Sequence, residues 1–280
     1  MTLYVSDLDG TLLDREGRLS ERSRAGLTTL LQQGLLFTVA SARHVSSIRS
    51  ILGDLPLQLP VISGNGAYLG QMDSERHELV HAMEPALAQS LFALIRRHDL
   101  MPFFATHSAS GDQLFYHSAQ NIGQQNFINE RQRNADPRLR HAARPQDKLA
   151  DPVVTFVIIA REGPLQVLQA EIEALCGGTV ETHLADDLYA PGWPWLTVHD
   201  QRASKDQAIK TLAERYGLAE REIVVFGDHV NDVSMLRAAH RGIAMENAIA
   251  AVKQVAHSVI GPHYEDSVLR FIETDWRRWR

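Results

Sequence analysis

The chain has 280 residues, 44% hydrophobic and 22% charged, with a formal net charge of −6. That length suits one large domain or two of ordinary size, and the apolar fraction suits a real core. The acidic balance argues against a nucleic-acid partner, and no apolar run is long enough to span a bilayer. A single cysteine, Cys176, excludes an internal disulfide and fits a reducing cytoplasm. No charged segment followed by an apolar stretch and a cleavage site opens the chain. The tail from Trp276 to Arg280 is basic and aromatic, and reads as the end of a last helix with its rings packed on the body.

Leu3-Tyr4-Val5 is a short β-prone run that reads as a buried strand, and Ser6-Asp7-Leu8-Asp9-Gly10-Thr11 follows it. Like charges held close raise one another's pKa unless a cation or a proton intervenes. The paired carboxylates therefore mark either a site that needs a metal or a proton, or a plain acidic turn of Asp and Gly. A helix capped by Ser20 runs to Gln33, with Gly34 ending it. The next strand is Leu35 to Ala40, closed by Ser41-Ala42-Arg43, and a helix covers Val45 to Leu52. A third strand, Pro60 to Ser63, ends in Gly64-Asn65-Gly66-Ala67. Strands alternating with helices predict a parallel sheet, which binds ligands at the C-terminal ends of its strands. Asp7, Asp9, Ser41 and Asn65 all fall at such ends.

The pattern changes after Tyr68. A hairpin of Tyr68-Leu69 with Glu78-Leu79-Val80 is expected, then a helix presenting Leu87, Leu91, Leu94 and Ile95. Strands are expected over 101–106, 113–117, 153–159 and 179–183, with a helix over 165–175. The polar stretch 121–152 has no clear periodicity. This middle third reads as an inserted α+β unit over 84–191, leaving a discontinuous core of 1–83 and 192–280. Among its aromatic residues Phe103, Phe104, Phe115 and Tyr116 fall at strand spacing and suit packing. Beyond Trp195 the parallel pattern returns, with a short strand Leu196-Thr197-Val198 and a helix from Ser204-Lys205 to Tyr216. A strand Glu222 to Phe226 leads into Gly227-Asp228-His229-Val230-Asn231-Asp232, and a further strand and helices complete the chain.

Asp7/Asp9, Lys205 and Asp228/Asp232, with Ser41 and Asn231, form a coherent set for phosphoryl transfer. That chemistry needs an in-line nucleophile, a metal and cations to neutralise the equatorial oxygens, and an acid for the leaving alcohol.

The order Asp7-Leu8-Asp9-Gly10-Thr11, Ser41, Lys205, then Gly227 to Asp232 resembles the haloacid dehalogenase-like phosphatases, more narrowly their Cof-type subgroup. Ile62 to Ala67, Phe226, Met235-Leu236 and Ala244-Met245-Glu246-Asn247-Ala248 add to the likeness. The resemblance implies a doubly wound α/β core with an inserted α+β cap that sets specificity, where one of Phe104, His107 or Tyr116 would face the substrate. It implies hydrolysis of a small phosphorylated metabolite by a cytoplasmic monomer or small homo-oligomer. Asp7 would be the nucleophile and Asp9 the general acid, then the base. Mg²⁺ would be held by Asp7, by the backbone carbonyl of Asp9 and by Asp228. Leu8, Ser41, Ala42, Lys205 and Asn231 would bind the phosphate. Thr11, Asn65 and Asp232 would support these groups from behind. Two departures stand out: Ala42 replaces the family's usual Gly, and Asp206 follows Lys205 where Gly is usual.

Two other readings compete. An aspartyl-phosphate can pass its phosphoryl group to a sugar hydroxyl, as in a phosphomutase. His77-Glu78-Leu79-Val80-His81 matches the HExxH zinc pattern, which requires a helix to bring its histidines together. Pro85 follows closely and no third ligand stands at the usual distance. As a strand, this stretch would hold its histidines roughly 13 Å apart.

Overall fold

The computed structural model describes residues 2–74, 76–186 and 191–277. Its contacts divide the chain into two units, 1–79 with 203–280, and 80–202. In chain order the first unit begins with β1 (Thr2–Ser6), α1 (Glu21–Gln32), β2 (Leu36–Val39), α2 (Val45–Leu52), β3 (Val61–Ser63), β4 (Tyr68–Gly70) and β5 (His77–Val80). The second unit holds α3 (Pro85–Arg97), β6 (Phe103–Ser108), β7 (Gly111–Tyr116), α4 (Ile122–Arg133) and β8 (Leu139–His141). It continues with β9 (Val153–Ile159), α5 (Glu162–Cys176), β10 (Val180–Ala185) and β11 (Trp195–Asp200). The chain then returns to the first unit through α6 (Lys205–Arg215), β12 (Glu222–Gly227), α7 (Val233–Ala238), β13 (Arg241–Met245), α8 (Ala250–Val255), β14 (Ser258–Ile260) and α9 (Ser267–Arg277). Arg278, Trp279 and Arg280, the rest of the basic tail, lie outside the described residues. No helix among the described residues is long and apolar enough to cross a membrane.

The sheet of the first unit has the order β14-β13-β12-β1-β2, every neighbouring pair parallel. A bridge from Ala40 to Ile62 carries it on to β3. A parallel sheet covered on both faces needs continuously apolar strands, and Leu3, Tyr4 and Val5 of central β1 are wholly buried. Each such side chain contributes about 1.5–3 kcal/mol by leaving water. The one polar side-chain atom in that run, the Tyr4 hydroxyl, donates to Asp275 of α9 at 2.7 Å. Ser20 caps α1 by accepting from the Ser23 amide, and Gly34 takes the left-handed conformation that ends the turn (φ +91°).

The second unit is a six-stranded sheet, β10-β11-β9-β6-β7-β8, antiparallel except for the β7–β8 pair. Leu91 and Ile95 of α3 and Leu165, Leu168 and Ile172 of α5 pack with Phe104, Phe156 and Leu196. Phe127 and Ile128 of α4 pack with Phe103, Leu114 and Val157.

Several expectations shift. Leu196-Thr197-Val198 was expected to rejoin the parallel sheet, but it lies in β11 and pairs antiparallel with β9 and β10. The units accordingly divide after Leu79 and after Arg202, not after 83 and 191. The stretch 121–152 contains a regular helix, α4, and a short strand, β8. Phe104 is wholly buried in the core that faces the helices, so it cannot face a substrate. His77–Val80 is a strand, which removes the helix that the zinc pattern requires.

Candidate active site

Asp7 follows β1 directly, and its amide still donates to the Phe226 carbonyl of β12 at 3.0 Å. The chain then makes a wide turn over Leu8–Leu12, closed by Leu13 N donating to Leu8 O at 3.0 Å. Within it Asp9 is extended and Gly10 left-handed (φ +73°). Gly10 is required twice over. An L side chain would be strained at that φ, and a Cβ would stand 2.8 Å from the Asp228 Cγ. Leu8 is buried beneath the turn.

Lys205 is the first residue of α6 and only 1% exposed. Its Nζ donates to Asp7 Oδ1 at 2.6 Å and to Asp232 Oδ1 at 2.7 Å. The loop after β3 reaches the start of α6 because Gly66 (φ +101°) has no Cβ, which would otherwise strike the Ser204 carbonyl. Asp232 Oδ2 accepts from the amides of Asp228 at 2.9 Å and His229 at 3.0 Å. Both Asp232 oxygens are thus engaged in holding the lysine and the Asp228 loop. Asp228 Oδ1 accepts from the Thr11 hydroxyl at 3.0 Å.

The carboxylates of Asp7, Asp228 and Asp232 offer ligand atoms all within 4.8 Å of one another. One ammonium cannot neutralise three carboxylates. Burial first, and then Asp232, Asp228 and Asp9, push the Asp7 carboxyl well above the usual range, against the pull of Lys205. Asp228 is pushed up to about 7 by burial and by Asp232, although the Thr11 bond and Lys205 oppose this. Burial works against the Lys205 charge, but Asp232 and Asp7 outweigh it and raise its pKa. The lysine stays charged, and the surplus negative charge on Asp7 and Asp228 calls for a proton or a metal ion. Hard carboxylate oxygens in this number fit a small divalent cation that keeps several waters.

Ser41 is buried, and its Oγ accepts from the Arg43 amide at 3.2 Å. The Asn65 amide donates to the Ser41 carbonyl at 2.9 Å, and Asn231 Nδ2 donates to Asn65 Oδ1 at 2.9 Å. Asn65 itself is left-handed (φ 55°), a conformation in which Asn is enriched. Ala42 is exposed and lies outside the left-handed region, so its methyl group costs the backbone nothing. Asp206 sits in the first turn of α6, where the helix dipole favours an acid.

Two residues acquire roles that sequence reasoning did not assign. Asn247 Nδ2 donates to the Gly10 carbonyl at 2.8 Å and lies 3.4 Å from Asp228 Oδ2, tying the β13 loop to the acidic turn. Arg43 holds both oxygens of Asp9. Both residues stand inside motifs quoted above, but neither motif says which partner its side chain reaches.

The family profile for haloacid dehalogenase-like hydrolases matches residues 4–272. The pyridoxal phosphate phosphatase YbhA of Escherichia coli (strain K12) is 28% identical over 273 residues, covering 95% of each chain. The 5-amino-6-(5-phospho-D-ribitylamino)uracil phosphatase YitU of Bacillus subtilis (strain 168) is 23% identical over 276 residues, 97% of this chain and 96% of the relative. A crystal structure of a haloacid dehalogenase-like hydrolase from Bacteroides thetaiotaomicron superposes with a TM-score of 0.78 at 22% identity, covering 98% of this chain and 99% of the other.

Proposed function

Because the chain belongs to the haloacid dehalogenase-like hydrolase family, we propose that it is a Mg²⁺-dependent phosphatase of small phosphorylated metabolites, working through an aspartyl-phosphate on Asp7. The observation that carries this is the state of the Asp7 carboxylate. Oδ1 is fixed by the Lys205 ammonium, while no hydrogen bond engages Oδ2 among the described residues. A buried carboxylate with one oxygen anchored and the other open is a preorganised nucleophile.

Asp7 Oδ2 attacks phosphorus, and the bond from phosphorus to the ester oxygen breaks. Asp9 gives its proton to the departing alkoxide, then takes one from the water that cleaves the aspartyl-phosphate. Lys205 keeps Asp7 oriented and offsets charge on the phosphoryl oxygens. Ser41, with the amides of Leu8 and Ala42 and the Asn231 side chain, binds those oxygens. Asp7, the Asp9 carbonyl and Asp228 would hold Mg²⁺, which when bound supplies positive charge for the transferring group. Asp232, Thr11 and Asn65 hold these groups in place from behind. The inserted unit serves as the cap that selects the substrate. Pyridoxal phosphate and 5-amino-6-(5-phospho-D-ribitylamino)uracil, the compounds in the names of YbhA and YitU, come first in a substrate screen.

Asp7→Asn should remove hydrolysis of p-nitrophenyl phosphate while the far-ultraviolet circular dichroism stays native. Chelation should stop the wild type and added Mg²⁺ restore it. Undiminished turnover in the variant, or after chelation, contradicts the proposal.

A further inference from the structure

The Asp9 carboxylate is gripped from one side by a single guanidinium. Arg43 Nε donates to Oδ2 at 2.7 Å and Nη2 to Oδ1 at 2.8 Å, a two-pronged geometry that fixes the plane of the carboxylate as well as its place. The guanidinium is itself anchored. Its Nη1 donates to Ser47 Oγ of α2 at 3.1 Å, and the Arg43 amide donates to Ser41 Oγ at 3.2 Å. One residue thus spans the first turn of α2, the serine hydroxyl after β2 and the second aspartate after β1.

Stability alone does not require this arrangement: the two side chains are part-buried, 24% and 25% exposed, and water still screens the pair. The local backbone does not fix the Asp9 side chain either, since Asp9 is extended and its neighbour Gly10 is left-handed. A carboxylate that must meet a leaving-group oxygen within hydrogen-bond reach gains from being held there. A carboxylate oxygen has two lone pairs, so one fork bond on each does not exhaust its capacity to take a proton.

We infer that Arg43 is a positioning residue for proton transfer, its guanidinium holding Asp9 against Asp7's reaction centre. This rests on the proposed phosphatase function, and it separates Arg43 from the groups that bind phosphate. If Arg43 acts through Asp9, its loss harms substrates in proportion to their need for a proton on the leaving group. A p-nitrophenolate leaves without one; an alkoxide does not.

The test compares the full-length wild type, Arg43→Gln and Arg43→Lys with saturating Mg²⁺, on p-nitrophenyl phosphate and glycerol phosphate. In Arg43→Gln, kcat/KM for glycerol phosphate should fall about 100-fold, the usual scale of a general acid. The fall for p-nitrophenyl phosphate should be less than about tenfold. Arg43→Lys, which keeps the charge and loses the fork, should fall between wild type and Gln on glycerol phosphate. Equal losses on both substrates, or none, overturn the inference: the first makes Arg43 a phosphate ligand or a support of the fold. Asp7→Asn is assayed alongside. If it is inert on both substrates the phosphatase mechanism stands whatever Arg43 does. If it turns over, that mechanism fails and the role of Arg43 fails with it.

Discussion

Replacing Lys205 by Met keeps the length of the stem and removes the ammonium that Asp7 and Asp232 share at 2.6 and 2.7 Å. The lysine and Asp232 have wholly buried side chains, and Asp7 is nearly so. Taking one partner out of such a buried cluster leaves charge with no counter-ion, which costs about 3–5 kcal/mol. The loss has a defined pH dependence. The lysine's pKa is raised in the fold, so in the wild type its contribution is complete below the ordinary lysine pKa of about 10.4 and fades only above it. In the variant Asp7, raised by burial and its acidic neighbours and no longer held down by the Lys205 charge, takes up a proton that the unfolded chain does not bind. The variant therefore regains stability as pH falls from about 7.5 towards 5. Urea denaturation of metal-free wild type and Lys205→Met at both ends of that range gives the two differences directly. The expected result is a deficit of about 3–5 kcal/mol at the higher pH that narrows at the lower. A variant as stable as wild type at pH 7.5, or a deficit that does not change with pH, refutes the charge balance set out for this site.

Gly10→Ala should strain the acidic turn by about 1–2 kcal/mol and displace Asp228, lowering Mg²⁺ affinity about tenfold or more; unchanged affinity by calorimetric titration would contradict the packing of Gly10 on Asp228. His199 in β11 is buried with no hydrogen bond to either ring nitrogen among the described residues, and burial, then the nearby His183, lowers its pKa to about 3. Its neutral form is therefore favoured in the fold, so its contribution is complete above the unfolded pKa of about 6.5 and is lost as pH falls towards 3. Relative to His199→Leu, the wild type should lose about 2 kcal/mol between pH 7 and pH 5 in denaturant melts, and parallel pH profiles for the two proteins would count against it.

Much of the first unit was legible because its signals are local. A short apolar strand running out at Asp7, a serine cap before α1 and a lysine at the first position of α6 each follow from neighbouring residues. Their convergence across nearly the whole chain was legible only through the order of the motifs. What escaped has physical causes. Helix α4 buries only Gly123, Gln124, Phe127 and Ile128, and Gln124 is held by bonds to the carbonyls of Met101 and Ile159. Such a helix carries no apolar stripe to read. Strand β11 was recognised as a strand, but parallel or antiparallel pairing is a property of the partner, and its partners lie in β9 and β10. Arg43 was visible as part of a motif, yet its two bonds to Asp9 depend on where β1 and β2 end side by side in the sheet. The same holds for Asn247, which reaches Gly10 from β13 across the sheet order.

In the proposed mechanism Asp7 takes the phosphoryl group from the substrate. The most direct measurement is to quench the Mg²⁺-loaded wild type in acid during turnover, digest it, and locate the acid-stable acyl phosphate by mass spectrometry. A single phosphoryl group on the peptide containing Asp7, absent from Asp7→Asn, is the predicted result. Steady turnover with phosphate on another residue, or activity undiminished in Asp7→Asn, would contradict it.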